Sequence, residues 1–177
     1  MVIVLPLKVN MDRITVKKLE TEAEMFGKAY VHHKAWHEAY SDIIDRSYLD
    51  EMTLGNCESI ARKWPDNIII AMDDEKVVGF VGYGKYHDDE LPDAGEIYSL
   101  YILSEYYGAG VGAQLMRAAL DELKAYDLIA LWVLKDNRRA IRFYEKCGFR
   151  ADGSEKMITL GSPVAEIRMT LGHGTTV

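Results

Sequence analysis

The chain has 177 residues, 49% hydrophobic and 28% charged, which suits one folded domain able to bury its own core. Twenty-one lysines and arginines against 28 aspartates and glutamates leave a net charge of −7, which argues against a nucleic-acid or general polyanion binder. Cys57 and Cys147 are too few for a disulfide scaffold and no Cys/His spacing suggests a metal, so both read as reduced thiols of a cytoplasmic protein.

Met1–Leu7 is apolar, but it lacks the charged start and small-residue cleavage site of a signal peptide. No window approaches the ~20 apolar residues of a membrane helix. Strand-like sequence begins just after Met11, so residues 1–11 read as a leader and 12–177 as a single domain. Ile14–Leu19 reads as a first strand. Thr21-Glu22-Ala23-Glu24 matches a capping box that starts a helix carrying Met25, Ala29, His33, Trp36 and Tyr40 close to one face. The neighbours His32 and His37 read as surface residues. A second helix is expected from about Tyr48 to Lys63, ending before Trp64-Pro65.

Asn67–Met72 and Lys76–Tyr86 are β-rich runs separated by Asp73-Asp74-Glu75, a hairpin signal. Residues 66–95 hold 8 acidic and 2 basic side chains, much of the acid in the turn-like run His87–Asp93. That run reads as a solvated loop, or as a field that draws in a cationic substrate. Glu96–Leu103 is a third β-rich run. From Gly112, the stripe Gly112, Leu115, Met116, Ala119, Leu120, Leu123 has helical spacing. Leu128–Leu134 reads as a strand, and Arg138–Lys146 as a helix closed by Gly148. In Val164–Leu171 apolar and polar residues alternate, so a last strand is expected to face water on one side. One more strand fits around Phe149–Leu160. The order predicts an α/β (α+β) fold with a mixed sheet covered by helices.

The chemistry lies in Gly108-Ala109-Gly110-Val111-Gly112-Ala113, which joins a strand to a helix. Glycines let successive amides turn toward one point, and the helix N-terminus adds about half a positive charge there. This makes a site for a phosphate or diphosphate. Gly108-x-Gly110-x-x-Ala113 also fits a dinucleotide fingerprint, the mark of an oxidoreductase. Its context is wrong, because no acid closes the following strand and only 65 residues follow Gly112.

Tyr107-Gly108-Ala109-Gly110-Val111-Gly112 resembles the Gln/Arg-x-x-Gly-x-Gly/Ala acyl-CoA signature of the GNAT superfamily of N-acetyltransferases. Asn137–Phe149 resembles its Asn-x-x-Ala-x-x-Phe-Tyr-x-x-x-Gly-Phe segment, and Leu100-Tyr101-Ile102 the strand before the loop. Trp36–Ile44 is similar to a stretch of the PaiA-type polyamine acetyltransferase branch. The resemblance implies a mostly antiparallel sheet of six or seven strands with helices on both faces, the acyl-CoA N-acyltransferase type. It also implies acetyl transfer from acetyl-CoA, without a metal, to a small-molecule amine by direct attack in a ternary complex. Backbone of Leu100, Tyr101 and Ile102 is expected to pair with the pantetheine arm where the sheet splays. The amides from Tyr107 and Gly108 through Ala109, Gly110, Val111 and Gly112 to Ala113 are expected to hold the diphosphate. Asn137, Ala140, Phe143 and Tyr144 would line the opposite wall.

Two catalytic roles follow from the same resemblance. Glu96 stands where histone-type members carry a general base, the alternative being a solvated strand-edge carboxylate. Tyr144 is the candidate general acid toward the departing thiolate, because an ordinary phenol and a thiol have comparable basicity. Trp36, Tyr40 and His33 either pack the core or wall the amine pocket, where aromatic faces attract a cation. Cys147 reads as a structural thiol. The family's usual Gln or Arg is Tyr107 here, and that departure motivates a second reading: an acyl-CoA-binding regulatory module with weak catalysis. A homodimer, common in the superfamily, stays open.

Overall fold

The computed structural model describes residues 9–172. Most of the expected leader, Met1–Lys8, lies outside the described residues. Val9 and Met11 pack against the main core, and Asn10 caps a short 3-10 turn over Met11–Arg13.

Seven strands form one sheet: β1 (Ile14–Lys18), β2 (Ile68–Asp73), β3 (Lys76–Lys85), β4 (Gly95–Ile102), β5 (Leu128–Leu134), β6 (Arg150–Leu160) and β7 (Ser162–Gly172). Their spatial order is β1-β2-β3-β4-β5-β7-β6. Every neighbouring pair is antiparallel except β4 and β5, which are parallel. The expected mixed, mostly antiparallel sheet is therefore present, and the extra strand around Phe149–Leu160 is β6.

Among the described residues five α-helices accompany it: α1 (Glu22–Tyr40), α2 (Arg46–Glu51), α3 (Leu54–Lys63), α4 (Val111–Glu122) and α5 (Arg138–Lys146). The capping box at Thr21 is formed: its hydroxyl accepts from the Glu24 amide at 3.2 Å, and Glu24 accepts from the Thr21 amide at 3.1 Å. The single helix expected over Tyr48–Lys63 is two helices. Thr53 adopts an extended conformation and its hydroxyl accepts from the Asn56 amide, so it starts α3 instead of continuing α2.

The main core runs through the centre of the sheet, with Phe80, Phe149, Leu115, Leu131 and Met169 all nearly inaccessible to solvent. His32 is buried, not a surface residue. Its ring stacks on Tyr101 at 5.4 Å and meets Phe80 and Trp36 edge-on. Burial, then the charges of Lys28 and His33, push its pKa down to about 4, so the ring is neutral. The polar face of the last strand is likewise not open to water. The side chains of Glu166 and Arg168 are only 18% and 11% exposed, because Lys156 and Asp152 from β6 and Glu90 from the loop before β4 cover them with counter-charges.

One irregularity positions everything that follows. In β4, Ile97 pairs with Tyr83 and Ser99 with Gly82, so Tyr98 is an extra residue in a bulge. The parallel ladder to β5 covers only Gly95, Glu96 and Ile97, opposite Ile129, Ala130 and Leu131. Beyond the bulge β4 runs on to Ile102, still paired with β3, and β5 to Leu134, still paired with β7, but the two no longer pair with each other. The sheet opens there into a cleft walled by the β5-facing edge of β4.

Candidate active site

The cleft widens into a cavity of about 830 Å³. β4 lines it with Leu100, Tyr101 and Ile102, and the loop and first turn of α4 with Tyr107, Gly108, Gly110, Gly112 and Ala113. α5 contributes Asn137, Ala140, Phe143 and Tyr144. Two expected loop residues do not line it: Val111 is fully buried in the core and Ala109 is half-buried. Their amides still belong to the same turn, and the side chain is irrelevant to an amide contact.

The loop geometry explains its glycines. Gly108 has φ +74° and Gly110, which caps α4, has φ +94°, a conformation costly for other L-residues. No atom lies within 4 Å of where a Gly108 β-carbon would stand, so the loop is open on that side. Gly112 has the opposite reason: a β-carbon would lie 2.9 Å from Ile102 and 3.1 Å from Phe143. First-turn amides of α4 have no intrahelical acceptor, and they converge at the cavity.

A cation reaches this mouth from an unexpected place. Tyr107 occupies the position of the usual Gln or Arg, but the Arg139 guanidinium lies 4.0 Å from its ring centroid. Arg139 Nη2 also donates to the Tyr107 hydroxyl at 3.1 Å. Arg142 and Lys146 of the same helix line the cavity as well. The α5 wall is therefore cationic, which suits a polyphosphate on the amides opposite.

Tyr144 is buried, and burial raises its pKa well above the ordinary tyrosine value. Burial has the same effect on Tyr40 and Tyr101, whose hydroxyls lie 3.5 Å apart. Cys147 also lines the cavity, with its thiol pKa pushed up by burial, so it is held as the neutral thiol.

Of the three residues expected around the amine, only Tyr40 lines the cavity. Trp36 packs in a satellite cluster with Ile44, Leu49 and Leu134. His33 turns the other way, its Nδ1 2.8 Å from the Met52 carbonyl oxygen. Sequence reading missed Tyr98, Trp132 and Glu166, which do line it. No local signal marks them, because strands distant in sequence bring them together.

Glu96 is buried, not solvated, and does not line the cavity. Its carboxylate accepts from the His87 amide at 3.0 Å and stands 2.9 Å from His87 Nδ1. A carboxylate only accepts, so Nδ1 carries the shared proton, and Nε2 stands 3.3 Å from an Asp88 carboxylate oxygen. The His87 ring lies 4.7 Å from the Tyr86 ring, and the Tyr86 hydroxyl accepts from Trp132 Nε1 at 2.9 Å. Among the described residues, no group of three His, Cys, Asp or Glu could hold a metal ion.

Comparison with known proteins agrees with this geometry. Residues 28–149 match the model of the acetyltransferase (GNAT) family. A Bacillus subtilis (strain 168) protein named as the uncharacterized N-acetyltransferase YuaI is 27% identical over 139 residues, 75% of this chain and 78% of that one. A crystal structure from Pyrococcus horikoshii OT3 superposes with a TM-score of 0.70 at 23% identity, covering 91% of this chain and 99% of the other. The PaiA N-acetyltransferase of Thermoplasma acidophilum, crystallised with coenzyme A, superposes with a TM-score of 0.67 at 20% identity, covering 90% and 99%. The loop motif, the opened sheet and the family match thus meet on the same residues, and this chain belongs to the acetyltransferase (GNAT) family.

Proposed function

We propose that this acetyl-CoA-dependent N-acetyltransferase acetylates a small primary amine of the polyamine type, by direct attack in a ternary complex. The observation that carries the reading is the cleft between β4 and β5, which ends on the glycine loop. On its β5-facing edge, backbone from Tyr98 to Ile102 is free to pair with an amide-bearing arm as an added strand would. The amides from Gly108 to Ala113 and the α5 cations would hold a diphosphate. Bound acetyl-CoA supplies a thioester carbonyl as the electrophile.

The protein's own groups then have two tasks. Tyr144, neutral because it is buried, donates a hydrogen bond toward the sulfur as it becomes a thiolate. On the other side of the cavity, the acceptor ammonium must lose a proton before it attacks. Water carries it to the Glu96–His87–Asp88 cluster, in which Glu96 fixes the ring through Nδ1 and Asp88 stands 3.3 Å from Nε2. Glu96 in this account no longer takes the proton itself, because both of its oxygens face His87.

The polyamine preference draws on charge. Glu90 of the acidic loop His87–Asp93 is bonded at 2.8 Å to Arg168, which lies 5.6 Å from the ring of Trp132 in the cavity lining. The PaiA likeness points the same way.

A screen of primary amines with saturating acetyl-CoA, read by free-thiol release, tests the reading. Turnover on aliphatic amines is expected; none on any amine would overturn it. Glu96→Gln and His87→Gln should each lower kcat/KM about tenfold or more at low pH, where the amine most needs help losing its proton, and less at high pH. A pH–rate profile unchanged by both substitutions would remove the pair from the reaction. Tight acetyl-CoA binding without turnover would favour the regulatory-module reading. Its only motive was Tyr107, and Arg139 restores a cation at that place.

A further inference from the structure

Charge divides the cavity. Four of its lining residues are charged: Arg139, Arg142 and Lys146 on α5, and Glu166 on β7. Arg139 stands against Tyr107 at the phosphate loop, and Arg142 and Lys146 follow it along α5. Glu166 is the one carboxylate among the described lining residues, and it stands opposite Leu134 at the far end of β5. Two residues earlier on the same face of β5 is Trp132, also in the lining.

This corner already holds an alkylammonium. Lys156 Nζ lies 4.0 Å from the centroid of the Trp132 ring and 3.6 Å from a Glu166 carboxylate oxygen. Arg168 lies 5.6 Å from the same ring but is bound at 2.6 Å to Asp152 and 2.8 Å to Glu90. Arg168 is therefore fixed in place by two carboxylates. Lys156 is held by one long ion pair and an indole face, and its side chain is 38% exposed. An aromatic face and a carboxylate in a half-buried corner are what an ammonium needs for recognition. Lys156 is a four-carbon stem ending in a primary amine, so it has the shape of half a diamine.

The chemistry separates two amines. An ammonium gripped by a carboxylate is stabilised in its charged form and cannot be the nucleophile. The group held by Glu166 is thus the non-reacting end of the acceptor, while the other end loses its proton and attacks. We propose that Trp132 and Glu166 bind the non-reacting ammonium of the acceptor, and that Lys156 occupies this subsite until the acceptor displaces it. The inference rests on the acetyl-transfer reading above and adds which residues select the substrate.

Steady-state kinetics with 1,4-diaminobutane and with butylamine, a monoamine of equal length, test it. The wild-type protein should prefer the diamine in kcat/KM by about tenfold or more, the effect expected of one anchored ammonium. Glu166→Gln should raise the diamine KM by about the same factor, alter the butylamine KM far less, and so erase the preference. Lys156→Met keeps the stem over the indole and removes the competing charge, so the diamine KM should fall. Equal use of both amines by the wild type, or a Glu166→Gln loss that is the same for both, would overturn the proposal. Should acetyl-CoA bind while neither amine is acetylated, the polyamine-type acceptor of the reading above fails by itself. Tryptophan fluorescence then decides the subsite: quenching by diaminobutane that disappears in Glu166→Gln upholds it, and no quenching of the wild type refutes it.

Discussion

Tyr144→Phe is expected to lower kcat about 100-fold and leave the affinity for acetyl-CoA within about twofold, since a positioned proton donor contributes roughly 10²–10⁴ to a rate. Phenylalanine keeps the ring and its packing against Phe143 and Phe149, at 5.4 and 6.1 Å, so the binding wall is preserved. What disappears is the hydroxyl proposed to face the sulfur. The sequence suggests a phenol matched to the thiol in acidity, both ordinary groups. The structure shifts that balance: burial makes Tyr144 a weaker acid than a solvated tyrosine. Its contribution is then a hydrogen bond to charge that develops on sulfur, in a site with little water to compete. The sign for pH follows. A group whose pKa is raised stays protonated further into the alkaline range, so activity should not fall through pH 9–10 on its account. Stopped-assay kinetics of the two proteins with acetyl-CoA titrated at saturating amine give both parameters. Equal losses in kcat and acetyl-CoA affinity would make Tyr144 a contact residue only.

Gly110→Val should weaken coenzyme A binding by about 10- to 100-fold while the domain stays folded. A non-glycine residue held at positive φ costs on the order of 1–3 kcal/mol, and about 1.4 kcal/mol is a factor of ten. Space is not the difficulty, because the nearest atom to a β-carbon at Gly110 is the Met11 methyl at 3.7 Å. The cost lies in the backbone, at φ +94°. In the unliganded protein an exposed loop relieves the strain by shifting, so the urea midpoint should move little. Binding requires the amides to converge again, and the strain returns as lost affinity. Gly110→Asn provides the control, since asparagine tolerates left-handed backbone better than valine. It should retain more of the affinity. Calorimetric titration with coenzyme A measures all three proteins, and a valine variant that binds like the wild type would separate the loop from cofactor recognition.

These residues also show how much was readable in advance. The glycine loop, the Asn137–Phe149 segment and the Thr21 cap are local patterns, each written within a dozen residues or so, and each is formed as its chemistry suggests. The break at Thr53 was hidden because the residues around it fit one continuous helix, and only the extended backbone of Thr53 with its hydroxyl cap divides it. His32 was misplaced because α1 is buried on two sides, against β3 and against α3, so its apolar stripe is blurred. Lys28, His32 and Ala35 are buried beside Ala29 and Val31. The acceptor corner was the least legible. Trp132, Lys156 and Glu166 come from three strands, and the pairing of β5 with β7 and of β7 with β6 is a long-range choice. An alternating strand also reads as one wet face until the elements that cover it are known.

The central claim is that β4 and β5 part beyond Ile97 so that coenzyme A can lie between them, with its diphosphate on the glycine turn. Electron density from crystals soaked with coenzyme A tests it most directly. The pantetheine amides should be bonded to β4 backbone between Tyr98 and Ile102, the diphosphate should sit on the amides from Gly108 to Ala113, and the thiol should lie beside Tyr144. Density for the diphosphate elsewhere on the protein, or a cleft left empty at saturating coenzyme A, would contradict it.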